Sequence, residues 1–214
     1  MARIDLNWAT PKLDLYDGFD LEHLYSAMPD FKKTDKPGLV YLTSSKGEYE
    51  QYTKNIEGSA LKDEYVSIAA STLFNVIKLD GDKIGETHPY WKIVGGKTLP
   101  RLVVVDQTGA KVGAVEGQDV SASKLFAIMK RAAARTYKNE LEAVVKGTKE
   151  ILTDIDNVEA KRTALKQKMT SAVKQKPEEW AKEEQELDAT MKGIEAREVN
   201  LKKKWTEERK VAKA

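Results

Sequence analysis

Thiol chemistry is closed to this sequence. Its 214 residues contain no cysteine, so disulfides, thiolate metal ligands and cysteine nucleophiles are all absent. Two imidazoles, His23 and His88, lie far apart and outside any ligand or base motif, which suits structural or exposed histidines better than catalytic ones. Gly113-x-x-x-Gly117 and Gly81-x-x-x-Gly85 space glycines as fragments of a phosphate loop would, but no Gly-Lys-Ser/Thr follows either pair. Asp80-Gly-Asp82 offers two carboxylates, yet lacks the spaced carboxylates and distal glutamate of a calcium loop; a solvated turn accounts for it. The sequence therefore proposes no catalytic residue, no metal ligand and no cofactor. Two short segments keep chemical interest, Ser44-Ser45-Lys46-Gly47 after one apolar run and Leu99-Pro100 before another.

The elements that must position those segments follow from the apolar pattern. Gly38 to Thr43 is a short β-prone run bounded by turn residues and reads as a buried strand. Gly47 to about Ala70 reads as helix, interrupted near Gly58-Ser59. Phe74 to Leu79 is a second strand, ended by Asp80-Gly81-Asp82. A short helix from about Pro89 to Ile93 and a Gly95-Gly96 turn follow. Leu102 to Asp106 and Lys111 to Val115 are strands joined by a hairpin turn, and Ser121 caps a helix from Ala122. This order gives an α/β fold with one antiparallel edge. Residues 1–36 form an N-terminal extension with a short helix over Asp20 to Ala27.

The ordered set resembles the thioredoxin-like family. A strand ending at Thr43 feeds directly into a helix; Leu79-Asp-Gly-Asp82 closes the second strand; Tyr90 to Gly96 is similar to the segment before that family's cis-proline; Thr98-Leu-Pro100 precedes a Val-rich strand and an acidic-Gly hairpin. The resemblance covers about residues 37–134. It implies a central mixed sheet flanked by helices, a cis bond at Leu99–Pro100, and a groove for extended peptides at Ser44, Ser45, Lys46, Gly47, Leu99 and Pro100. The plainer reading is that Pro100 completes a turn and the serines cap a helix. The family's two cysteines fall on Gly47 and Glu50, neither of which is a nucleophile. The expected protein is redox-inactive and not an enzyme, for a serine hydroxyl without a base does not replace a thiolate.

Charge and composition change near residue 120. Residues 1–120 hold 14 Lys+Arg against 18 Asp+Glu, residues 121–214 hold 22 against 16, and every glycine but Gly147 and Gly193 precedes residue 118. From Ser121 the helical pattern runs unbroken towards Pro177. Leu141, Val144, Thr148, Ile151, Ile155, Val158, Arg162, Leu165, Met169 and Ala172 alternate in steps of three and four. Pro177 with Glu178 and Glu179 starts another helix, whose seam includes Trp180, Leu187, Ile194, Leu201 and Trp205. The turn between is short, so residues 135–214 are expected to form a long antiparallel α-helical coiled-coil hairpin, an arm of roughly 50–60 Å. Folding it about residues 175–177 sets Trp180 opposite Ala172, Leu187 opposite Leu165, Ile194 opposite Val158 and Leu201 opposite Ile151. Val145 and Leu152 widen the apolar stripe at its base, which predicts packing against a second copy of the chain, the preferred version, against the chain's own thioredoxin-like domain, or against the native partner, with the preamble residues Leu13 to Tyr25 as a further candidate.

The function these features support is a non-catalytic interaction or scaffold protein that binds a protein or peptide partner through the groove, the arm or both. A chaperone-like holdase and a thioredoxin-fold enzyme using non-cysteine chemistry are the alternatives; the polar tip at Lys174 to Pro177 speaks against the first. Nucleic acid is not the expected partner, because the lysines around Lys202-Lys-Lys204 are interleaved with glutamate and carry no aromatic-plus-glycine motif. No apolar run is long enough to span a bilayer and no signal-peptide pattern opens the chain. That fits a soluble cytoplasmic protein as the sequence stands, or a periplasmic or secreted one had a leader been removed.

Overall fold

In the computed structural model the described residues are 4, 6–10, 35–88, 90–171 and 176–207. The expected helix at Asp20 to Ala27, the preamble anchors Leu13 to Tyr25, His23, Pro89, Ala172 and the basic residues after 207 lie outside them. The chain divides into two compact units between Glu142 and Ala143.

The first unit is mixed α/β. Strands β1 (Gly38–Thr43), β2 (Asn75–Asp80), β3 (Arg101–Val105) and β4 (Lys111–Glu116) form one sheet in the order β2-β1-β3-β4. β1 pairs with β2 in parallel, Val40 opposite Ile77, while β3 is antiparallel to both β1 and β4. The antiparallel strand is thus interior, not at the edge as the element order suggests; the β3–β4 hairpin places β4 outermost, running in the direction of β1. β1 and β3 read as unbroken apolar runs because both their faces are covered: Leu39 to Leu42 and Leu102 to Val105 are buried. On one face Val40, Leu42, Ile77, Leu79, Val103 and Val105 meet Ile84, Tyr90, Ile93 and Val94 in a single apolar cluster.

Helices α1 (Gly47–Gly58) and α2 (Glu64–Leu73) join β1 to β2 and are separated by a turn at Ser59 to Asp63. Asp63 caps α2, accepting from the amides of Tyr65 and Val66. A 3-10 turn (Gly81–Lys83) follows β2, then the one-turn helix α3 (Trp91–Val94). Helix α4 (Ala122–Thr136) is capped by Ser121, whose Oγ accepts from the amide of Lys124. The N-terminal segment adds one main-chain bridge to the sheet edge: the Ala9 amide donates to Val76 O and the Lys78 amide to Ala9 O, both at 2.9 Å.

α4 does not continue into the next helix. Tyr137 leaves the helix at φ −110°, ψ 151°, and helix α5 (Leu141–Ser171) begins four residues later. The cause is tertiary: Tyr137 is buried and its hydroxyl donates to Leu73 O at 2.8 Å, a partner that a continuous helix would forfeit.

In the second unit α5 and helix α6 (Pro177–Glu207) pack on each other through Ile151, Val158, Leu165, Leu187 and Ile194. Ion pairs Lys168–Glu183, Arg162–Asp188 and Arg197–Asp154 descend along α5 as they ascend along α6, so the helices run antiparallel. Arg162, a break in the apolar seam of the sequence, is the cation of one of these pairs. Each helix has 31 residues, about 46 Å at 1.5 Å per residue.

Candidate functional site

β1 delivers Ser44 and α1 starts at Gly47, so Ser44 to Lys46 form the tight link between strand and helix. A carboxylate from the turn after β2 closes that link. Asp82 Oδ1 accepts from Ser44 Oγ at 2.7 Å; its Oδ2 accepts from the Ser45 amide at 3.0 Å and the Ser45 hydroxyl at 3.2 Å. Asp80 aims Asp82, its Oδ1 accepting from the Asp82 amide at 3.1 Å. Ser44 Oγ in turn accepts from the Lys46 amide at 3.2 Å, and the Ser44 amide donates to Thr53 Oγ1 at 3.3 Å. Desolvation pushes the Asp82 carboxyl up, but the Ser45 amide, the two hydroxyls and the Lys46 charge outweigh it and hold the group below its usual value.

The opposite side is built on Arg101, the first residue of β3, only 2% exposed. Its guanidinium donates to Glu116 Oε2, Val94 O and Thr98 O, each at 2.7 Å. Glu116 Oε2 also accepts from the Lys97 amide at 3.2 Å. This fork fastens the loop between α3 and β3. Burial pushes the Glu116 carboxyl up, and the hydrogen bond and charge of Arg101 pull it down further, leaving it below the usual range. Burial, with the Arg101 charge, lowers the Lys111 ammonium. Leu99–Pro100 follows the fastened loop and its peptide bond is cis, as the sequence predicts.

Between these two structures lies a cavity of about 240 Å³. Leu42, Ile84, Leu99, Tyr49 and Trp91 supply its apolar lining. Gly81 also faces it, and a Cβ there would lie 2.7 Å from both Leu99 Cδ2 and Thr43 O, so glycine is required for the turn to approach Leu99. Glu86 and Lys97 stand at its exposed rim.

Of the predicted binding residues, Leu99 lines the cavity. Pro100 is buried behind it, Ser44 is buried in the Asp82 network, and Ser45, Lys46 and Gly47 are exposed on the α1 side without lining the cavity. The sequence reading missed Asp82, which it dismissed as a solvated turn, and Arg101, Tyr49, Ile84 and Trp91; an arginine opening a valine-rich strand was the one available signal. Within the single chain Val145 is buried and Leu152 is half-buried. Among the described residues there is no cluster of metal-ligating side chains, and no helix is long and apolar enough to cross a membrane.

No family model and no curated protein matches the sequence. Among solved structures the chain is similar to one described as "DsbH Oxidoreductase", at 14% identity and a TM-score of 0.37, over 53% of this chain and 83% of that chain.

Proposed function

We propose that this chain is a non-catalytic, thioredoxin-like interaction protein that binds an extended segment of a protein partner in the groove beside Leu99, and that α5 and α6 form an antiparallel coiled-coil arm adding reach and surface. One observation carries the reading. Leu99 is half-buried at the cavity, and among the described residues neither its N–H nor its C=O has a hydrogen-bond partner. A main-chain donor and acceptor left open beside an apolar cavity match what an extended segment offers, main-chain pairing plus a side-chain pocket. The cysteine-free link at Ser44 to Gly47, closed by Asp82, supports binding rather than dithiol exchange.

The test is hydrogen exchange on the full chain with and without an unfolded polypeptide, reduced and alkylated insulin B chain. The Leu99 amide is expected to exchange at least tenfold more slowly in the presence of the polypeptide. Unchanged exchange over residues 95–100 overturns the reading, as does insulin-disulfide reduction above the buffer rate.

A further inference from the structure

The cavity beside Leu99 has a size, a wall chemistry and a charged rim that specify its occupant more narrowly than "a peptide". We infer that it is an anchor pocket for a single bulky apolar side chain, leucine-like or phenylalanine-like, carried by an extended segment with a basic residue on one flank and an acidic residue on the other. The inference rests on the peptide-binding reading above and adds the specificity.

Size comes first. At about 240 Å³ the cavity falls short of the roughly 300–1,000 Å³ typical of small-molecule and cofactor sites. It suits one side chain. The wall chemistry points the same way: Leu42 and Ile84 are buried aliphatic residues at its base, and Tyr49, Trp91 and Leu99 are only partly buried, so seating an apolar group removes their remaining surface from water. Arg101, the one charge among the buried lining residues, is committed to Glu116, Val94 and Thr98. The cavity therefore offers no unspent cation at depth to an anionic group.

The rim supplies the flanks. Glu86 and Lys97 are exposed, and among the described residues neither side chain has an ion-pair or hydrogen-bond partner. Opposite charges held apart at one opening attract a segment that presents the complementary order, and they penalise the reversed order through like-charge contacts. The open N–H and C=O of Leu99 align the segment's main chain, so the anchor's position relative to its flanks is fixed.

The experiment uses the full chain and short synthetic peptides with a central Leu, Phe or Ala and Lys/Glu flanks in both orders, read by calorimetry. Central Leu and Phe are expected to bind at least tenfold more tightly than Ala, and one flank order more tightly than the other. Gly85 lines the cavity and a Cβ there meets nothing within 4 Å, so Gly85→Leu obstructs the mouth without disturbing the core. It should abolish the Leu-over-Ala preference, and Glu86→Lys should abolish or reverse the flank preference. Peptides that bind regardless of the central residue, or equally well to Gly85→Leu, overturn the anchor while leaving the groove reading standing. No binding by any peptide, with insulin B chain still protecting Leu99, likewise overturns the anchor alone; loss of both overturns the groove as well.

Discussion

Asp82 joins two loops that are remote in sequence, and its network sets the first expectations. Asp82→Ala removes the acceptor for two hydroxyls and one amide, and a loss of about 1–3 kcal/mol is expected from denaturant unfolding. The pH dependence has a definite sign. A carboxyl held below its usual value of 3.8 stabilises the fold above that pH and loses its contribution as the pH falls through the folded-state value. The stability gap between wild type and Asp82→Ala should therefore be full at neutral pH and shrink only below about pH 4; a gap independent of pH down to 2 contradicts this. Arg101 is the stronger case. Arg101→Met strips Glu116 and two carbonyls of their donor inside the fold, with an expected loss of about 3–5 kcal/mol. Arg101→Lys should recover little of it, since an ammonium cannot reproduce the three-way fork. These residues were poorly legible beforehand. Asp82 matters through partners 37 and 38 residues away, and no local pattern encodes that pairing.

At the level of elements the sequence spoke more clearly. The four strands fall within a residue or two of where apolar runs and turn residues put them, because burial on both faces writes itself directly into β1 and β3. Ser121 was legible as a cap for the same local reason. The order of strands was not, since pairing depends on which edge a hairpin returns to. The break at Tyr137 escaped notice because helix propensity runs straight through it and only the distant Leu73 carbonyl decides the matter. Tyr137→Phe should cost about 1–2 kcal/mol by leaving that carbonyl unpaired. The α5–α6 packing rests on one apolar seam. Leu165→Ala or Ile194→Ala should each cost about 2–4 kcal/mol, read as the loss of helical circular dichroism on heating. A change under half a unit would mean the two helices are held by something other than their apolar seam.

For the whole molecule the property to be expected is the absence of self-association. Val145, half of the expected dimer contact, is already buried by the chain itself. The large exposed apolar side chains among the described residues are Tyr65, Met169 and Val199, one each on α2, α5 and α6, and single apolar residues do not make an interface. Light scattering at micromolar concentration is therefore expected to return the monomer mass, 24.0 kDa. A mass twice that value, reduced by Leu152→Glu, would restore the dimer.

The closed link between β1 and α1 also bears on what can be grafted there. A side chain added at position 47 would sit at φ +52°, a backbone conformation that β-substituted residues avoid. A thiol engineered at that position would stand two residues from an amide already held by the Asp82 carboxylate, whose negative charge opposes ionisation of a nearby thiol. A reactive thiol at the start of α1 therefore requires two changes at once, a relaxed backbone at 47 and a removed carboxylate at 82, and the second weakens the fold; single substitutions do not reach it.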